Sequence, residues 1–244
     1  MRAVAKCRIG RRALSTVIPF LSSDDPFPPV QAALRVPNGL LAAGADLSPD
    51  RLLAAYAEGI FPWFGDDDPI LWWSPDPRMV LHVSDVHVSR SLNKVLKGRR
   101  FRVTLDAAFG AVVRGCAEAR RDHEGTWITA EMEAAYGRLA ELGHAHSVET
   151  WQGDELVGGL YGVAVGRMFF GESMFSRATD ASKVALVSLA RQLEKWQMPM
   201  IDCQMSTPHL ASLGARDIPR ADFIRDVRYL VQQPPVATPW NLER

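Results

Sequence analysis

Apolar positions change their period along the chain, and each change marks an element. Leu52, Leu53 and Tyr56 fall at helical spacing behind Ser48, a favoured N-cap, with Pro49 at the first helical position and Gly59 as the stop. Phe109, Val112, Val113 and Cys116 repeat the helical period. Thr129 caps a further helix through Met132, Tyr136 and Leu139, ended by Gly143. Asp180 opens another through Val184, Leu186, Leu189 and Leu193 to Trp196, which Pro199 prevents from continuing. Between these, short runs predict strands at Met79 to Val83, Phe101 to Leu105, His146 to Trp151, Leu156 to Val165 and Met168 to Gly171. A strand from Met200 follows, then a helix start at Ser206-Thr207-Pro208 with Gly214 as its stop. Strands flanked by helices predict a mixed α/β domain around one sheet.

The region before Met79 reads differently. From Phe27 to Arg78 it is crowded with turn, proline and aromatic residues, as in Phe61-Pro62-Trp63-Phe64, and predicts a small loop-rich domain over 27–78, followed by a larger one over 79–244. Arg2, Lys6, Arg8, Arg11 and Arg12, with no acid before Asp24, predict a disordered basic extension over 1–26. The whole chain of 244 residues balances 28 Lys and Arg against 28 Asp and Glu, so any nucleic-acid partner needs a local patch. Cys7, Cys116 and Cys203 are far apart and fit no zinc spacing, which favours a reducing cytoplasm. No apolar run approaches membrane-spanning length.

Candidate chemistry concentrates in a few stretches. In Ile201-Asp202-Cys203-Gln204 a strand aims Asp202 and Gln204 at one face, near the strand end where helix-flanked sheets bind ligands. A buried acid beside an amide is costly unless the two are paired or face a substrate; the alternative is a solvated edge strand. Phe169 to Arg177 sets Glu172 among large apolar groups, so Glu172 either anchors an amine in a pocket or is exposed at a turn. His87 to Arg102 carries Arg90, Lys94, Lys97, Arg99, Arg100 and Arg102 without an acid, a phosphate-binding patch or a solvated helix face. Trp127 and Trp63 stand in turn-rich surroundings where an indole can stack on a base or fill a core. Phosphate-loop, nucleophile-elbow and metal patterns are missing, Asp66-Asp67-Asp68 lacks calcium spacing, and His209 at a helix start reads as packing or capping.

Several motifs in register resemble one family. Pro37-Asn38-Gly39-Leu40-Leu41, Gly59-Ile60-Phe61-Pro62-Trp63-Phe64, Trp72-Trp73-Ser74-Pro75-Asp76-Pro77-Arg78, Gly125-Thr126-Trp127-Ile128-Thr129, Gly171-Glu172-Ser173-Met174-Phe175-Ser176-Arg177 and Ile201-Asp202-Cys203-Gln204 are similar to leucyl/phenylalanyl-tRNA-protein transferases, from about Phe27 to Tyr229. The resemblance implies an acyltransferase that moves leucine or phenylalanine from aminoacyl-tRNA to the N-terminal Arg or Lys of proteins, marking them for degradation. It implies a small N-terminal domain, a larger domain similar to the GNAT acyltransferase fold, and no metal or nucleotide cofactor. By the same resemblance Gln204 contacts the incoming amine, Asp202 polarises or orients Gln204, and Glu172 anchors the donor's α-amine. Leu160, Phe169, Met174, Leu186, Leu189 and Ile201 form the pocket for the donor side chain. Trp63 and Trp127 match aromatics at the terminal adenosine, and Arg90, Lys94, Lys97, Arg99 and Arg100 match the basic surface for the acceptor stem.

The chain departs from the family pattern at Ala45, where a second glycine is common, at Asn93 inside the basic run, and in a longer N-terminus. Two other readings stay open: an acyl-CoA-dependent acyltransferase, which needs backbone amides around a pyrophosphate and lacks a Gly-rich loop here, and a catalytically silent RNA-binding protein, against which Asp202 and Gln204 count.

Overall fold

The described residues, 18–121 and 127–242 of a computed structural model, form two sheets with helices packed around them. The smaller sheet contains β1 (Phe20–Leu21), β2 (Leu40–Gly44), β3 (Phe61–Pro62) and β4 (Leu71–Trp73) in the order β1-β2-β4-β3. Helix α1 (Pro49–Ala57) lies between β2 and β3 in sequence, and Ser48 Oγ accepts from the Arg51 amide as its cap. The larger sheet is built from β5 (Arg78–His82), β6 (Arg102–Leu105), β7 (Ala145–Gln152), β8 (Glu155–Val165), β9 (Met168–Ser176), β10 (Met200–Gln204) and β11 (Arg216–Ile218). Its order is β11-β5-β10-β9-β8-β7-β6. The helices are α2 (Arg90–Lys97), α3 (Phe109–Arg121), α4 (Ala130–Glu141), α5 (Ala181–Lys195), α6 (Pro208–Ser212) and α7 (Arg220–Leu230).

Alternation along the central strands sorts the core into two layers. Leu160, Phe169 and Ile201 share a cluster with the apolar face of α5 and with Leu92 of α2. Their neighbours Tyr161, Phe170 and Met200 join α3, α4, α7 and the small sheet in the other cluster. The small sheet thus shares a continuous core with one face of the large one.

The chain differs from the sequence reading in several places. Ordered structure starts before Phe27: β1 pairs in parallel with β2, and the Arg51 guanidinium donates to the carbonyl oxygens of Ser22, Ser23 and Asp25. These bonds satisfy backbone acceptors that a disordered extension over 18–26 leaves to water. Residues 1–17, with Cys7 and the basic cluster from Arg2 to Arg12, lie outside the described residues. Asp180 stands at the N-cap of α5, but in a left-handed conformation with φ 69°. Its carboxylate pairs with Lys183 at 3.0 Å and does not cap the helix. Strand β9 runs on through Glu172 to Ser176, past the end expected at Gly171. The short strands of the small sheet, β11 and α7 carry too few periodic positions, or too mixed a pattern, to stand out in the sequence. Ala45 adopts φ 62°, a conformation in which glycine is unstrained and alanine is not.

Candidate active site

The site begins where two neighbouring strands stop pairing. β9 and β10 run parallel, and their register covers only Met168 to Phe170 against Met200 to Asp202. Immediately beyond, each strand carries a bulge. Against β8, Tyr161 faces Ser173 while Gly162 faces Gly171, which leaves Glu172 as the extra residue. Against β5, Asp202 faces Val80 while Gln204 faces Met79, which leaves Cys203 as the extra one. Bulges bend strands and re-aim side chains, and here they turn Glu172 and Gln204 toward each other. Asp202 and Gln204 both line the same cleft, and Gln204 takes φ 63° at the end of its strand. A non-glycine residue held there stores strain, a frequent mark of functional positions.

Glu172 is the hub. It is 6 % exposed on β9 and sits at no turn. Tyr56 of α1 donates to Oε1 at 2.7 Å, Gln204 Nε2 donates to the same oxygen at 2.9 Å, and Tyr136 of α4 donates to Oε2 at 2.8 Å. The two phenol oxygens lie 2.5 Å apart. Burial pushes the Glu172 carboxyl up to about 7; the two tyrosine hydrogen bonds oppose the rise, and the negative charge of Asp202 adds to it. Burial, and then the nearby Glu172 charge, raises both phenols well above their ordinary range. The site therefore holds an acid that titrates near neutrality, between groups that stay protonated.

Asp202 bonds to Gln204 through the main chain and to a second partner, Arg78. Its two oxygens take a fork from Arg78, Nε to Oδ1 at 2.8 Å and a terminal nitrogen to Oδ2 at 2.6 Å, with both side chains fully buried. Oδ1 also accepts from the Gln204 backbone amide at 2.9 Å. Asp202 thus holds the Gln204 main chain in its left-handed turn, while the carboxamide reaches Glu172. Arg78 ends the Trp72 to Arg78 motif, and the sequence offers no sign of its role. Tyr56 and Tyr136 read there only as apolar positions of helices, since nothing in a linear pattern shows that their hydroxyls converge.

A cavity of about 1300 Å³ opens above this floor. Typical small-ligand pockets span about 300–1,000 Å³, so the cleft is larger than most. Leu160, Phe169, Met174, Leu186, Leu189 and Ile201 all line it, from β8, β9, α5 and β10. Trp63 and Trp127 line it as well. Trp63 is 36 % exposed and packs edge-on against Trp73, with ring centres 5.3 Å apart. Trp127 lies beside Arg120, a residue that no sequence motif singles out. Asp66, Asp67 and Asp68 are exposed at the cleft's edge. The basic residues sit elsewhere. Ser89 caps α2, Leu92 is buried from it, and Arg90, Lys94, Lys97, Arg99 and Arg100 are exposed and are not among the cleft-lining residues. His209 is exposed on α6 and is likewise not a lining residue. Among the described residues no group of three or more His, Cys, Asp or Glu is arranged to hold a metal ion, and no helix is long and apolar enough to cross a membrane.

The protein thus combines a mixed α/β fold with a large, partly apolar cleft that has a buried acid, Glu172, and a half-buried amide, Gln204, on its floor, the arrangement of an enzyme site. Residues 80–228 match the sequence model of the leucyl/phenylalanyl-tRNA protein transferase family, and residues 45–76 match the model of that family's N-terminal domain. The leucyl/phenylalanyl-tRNA–protein transferase of Nitrosospira multiformis is 62% identical over 215 residues, 88% of this chain and 93% of that protein. Its counterpart in Thiobacillus denitrificans is 61% identical over 217 residues, 89% of this chain and 95% of that protein. The chain belongs to this family and is an aminoacyl-tRNA-protein transferase, an acyltransferase. Solved structures resemble it more distantly. L-PGS from Bacillus licheniformis has a TM-score of 0.40 and 9% identity, covering 69% of this chain and 54% of that one. A GCN5-related N-acetyltransferase-like protein from Streptococcus suis has a TM-score of 0.33 and 16% identity, covering 69% and 63%. At these scores the overlap bears on neither fold detail nor chemistry.

Proposed function

We propose that the protein transfers leucine or phenylalanine from its tRNA ester to the N-terminal Arg or Lys of a protein, in the cleft where β9 and β10 part. The observation that carries this is the convergence of Glu172 and Gln204 at 2.9 Å on the floor of an apolar pocket inside a protein of this family. The donor's leucyl or phenylalanyl side chain fills the pocket of Leu160, Phe169, Leu186, Leu189 and Ile201, with flexible Met174 adapting to either shape. The donor's α-ammonium lies on Glu172, the terminal adenosine between Trp63 and Trp127, and the acceptor stem along Arg90, Lys94, Lys97, Arg99 and Arg100. The carboxylates that line the cleft carry the sign that a basic N-terminal residue complements.

Aminolysis needs a neutral amine, and an N-terminus with a reference pKa of about 7.7–8.0 supplies a fraction of it near neutrality. The Gln204 carboxamide gives an N–H to Glu172, which leaves its carbonyl oxygen to accept from the incoming amine and align its lone pair on the ester. Asp202, clamped by Arg78, is a positioning residue: it fixes the Gln204 turn through the backbone amide. Attack forms the new peptide bond and breaks the ester C–O bond, the proton lost by the amine nitrogen ends on the departing ribose oxygen of the tRNA, and no external activation is required because the ester already carries it.

Incubation with labelled leucyl-tRNA, labelled acetyl-CoA and a peptide beginning with Arg tests the proposal. Leucine on the N-terminal Arg is the expected product. Transfer from acetyl-CoA alone, or tRNA binding without transfer, would refute it in favour of the other two readings.

A further inference from the structure

The cleft is lined by Asp66, Asp67, Asp68, Glu172 and Asp202 and, among the described residues, by one cation, Arg120. Arg120 lies in the last turn of α3 with its side chain exposed. Its Nε donates to Ser173 Oγ at 3.1 Å, and its guanidinium carbon lies 5.7 Å from the centre of the Trp127 ring. Ser173 is itself buried, on β9 next to Glu172. Among the described residues these contacts orient the group without neutralising it. A hydroxyl and an indole carry no charge, and among the described residues no carboxylate is ion-paired with Arg120. With Nε engaged, the two terminal nitrogens keep the planar fork that matches a phosphate.

The substrates decide which anion reaches that fork. A protein acceptor brings cations at its N-terminal Arg or Lys. The donor's ester and α-amine carry no negative charge either. The anion nearest the ester in an aminoacyl-tRNA is the phosphodiester that joins the terminal nucleotide to the one before it. A base stacked against Trp127 brings its own ribose and phosphate alongside the same ring.

We propose that Arg120, oriented by Ser173 and Trp127, binds this last phosphodiester of the donor tRNA and so sets how deeply the terminal nucleotide enters the cleft. The inference rests on the reading of Trp127 as the adenosine contact. It separates two electrostatic tasks: the α2 surface attracts the stem, and Arg120 reads the end.

Two small donors isolate the contact, 3′-O-leucyl-adenosine, which lacks the phosphate, and the same ester bearing a 5′-phosphate, which carries it. The wild-type protein should favour the phosphorylated donor in kcat/KM by about tenfold, as a charge-assisted pair with one exposed partner allows. Arg120→Gln should bring that ratio close to one, and Arg120→Lys should keep part of it. Competition of both compounds against leucyl-tRNA gives the same ratio where their turnover is slow. A ratio that survives in Arg120→Gln, a wild type without preference, or equal losses on both donors would each overturn the subsite. Wild-type protein that cannot use leucyl-tRNA would instead overturn the transfer reaction, so the two failures are told apart.

Discussion

Removing the Arg78 guanidinium tests how the floor of the cleft is held. Arg78 and Asp202 are fully buried and share two charge-assisted bonds of 2.8 and 2.6 Å. The same guanidinium donates to the Gly59 carbonyl at 3.1 Å and lies 4.8 and 4.5 Å from the Phe61 and Phe223 ring centres. One side chain thus ties β5 to β10, to the turn after α1, to the small sheet and to α7. Arg78→Met keeps most of the volume but leaves a buried carboxylate without its counter-charge. Breaking such a pair costs about 3–5 kcal/mol, a large share of the roughly 5–15 kcal/mol that holds a typical protein folded. Asp202→Asn strands the cation instead and should cost a similar amount. The double variant removes both charges and should be more stable than the sum of the single losses predicts by about 2 kcal/mol. Urea unfolding of the four proteins measures this coupling. Losses that add to within about 0.5 kcal/mol would show that the two groups do not depend on each other, and the positioning role of Asp202 would fall with them.

Glu172 has its carboxyl raised to about 7 from an ordinary 4.5, so the folded protein holds the proton more tightly than the unfolded chain. The associated stability is fully present below about pH 4.5 and is lost as pH rises through about 7, on the order of 3 kcal/mol in all. Glu172→Gln should flatten that part of the stability profile, and an unchanged slope between roughly pH 5 and pH 8 would contradict the buried-acid assignment. Neutralising Lys97, Arg99 and Arg100 together should weaken tRNA binding and lower the slope of log affinity against log salt by about 0.7–0.9 for each phosphate left without its cation. An unaltered slope would remove this surface from the tRNA site.

Sequence periodicity locates the central helices and strands because their apolar positions repeat, as in Val184, Leu186, Leu189 and Leu193 of α5. It also puts a small turn-rich segment before Met79. Strand β1 is invisible to it: two residues carry no period, and what holds Phe20 and Leu21 is pairing with β2. Within the site, residue types are legible but partners are not. Asp202 and Gln204 stand two apart, and only the folded structure shows that the carboxylate bonds to Arg78 while the carboxamide bonds to Glu172. Tyr56, Tyr136 and Arg120 come from three different helices, and only the packing of α1, α3 and α4 against the large sheet brings the two phenols to Glu172 and Arg120 to the cleft. Long-range convergence of this kind leaves no local signal.

The central claim is that transfer takes place on Glu172 and Gln204 at the parting of β9 and β10. The most direct measurement pairs the single-turnover rate of leucine transfer to an Arg-initiated peptide with the Kd for leucyl-tRNA, in the wild type and in Gln204→Ala. The expected result is a fall in rate of about a hundredfold or more, the scale of losing one positioned polar group, with tRNA affinity held within a few-fold. A variant that transfers leucine at the wild-type rate, or one that loses tRNA binding in proportion to its rate, would contradict the claim.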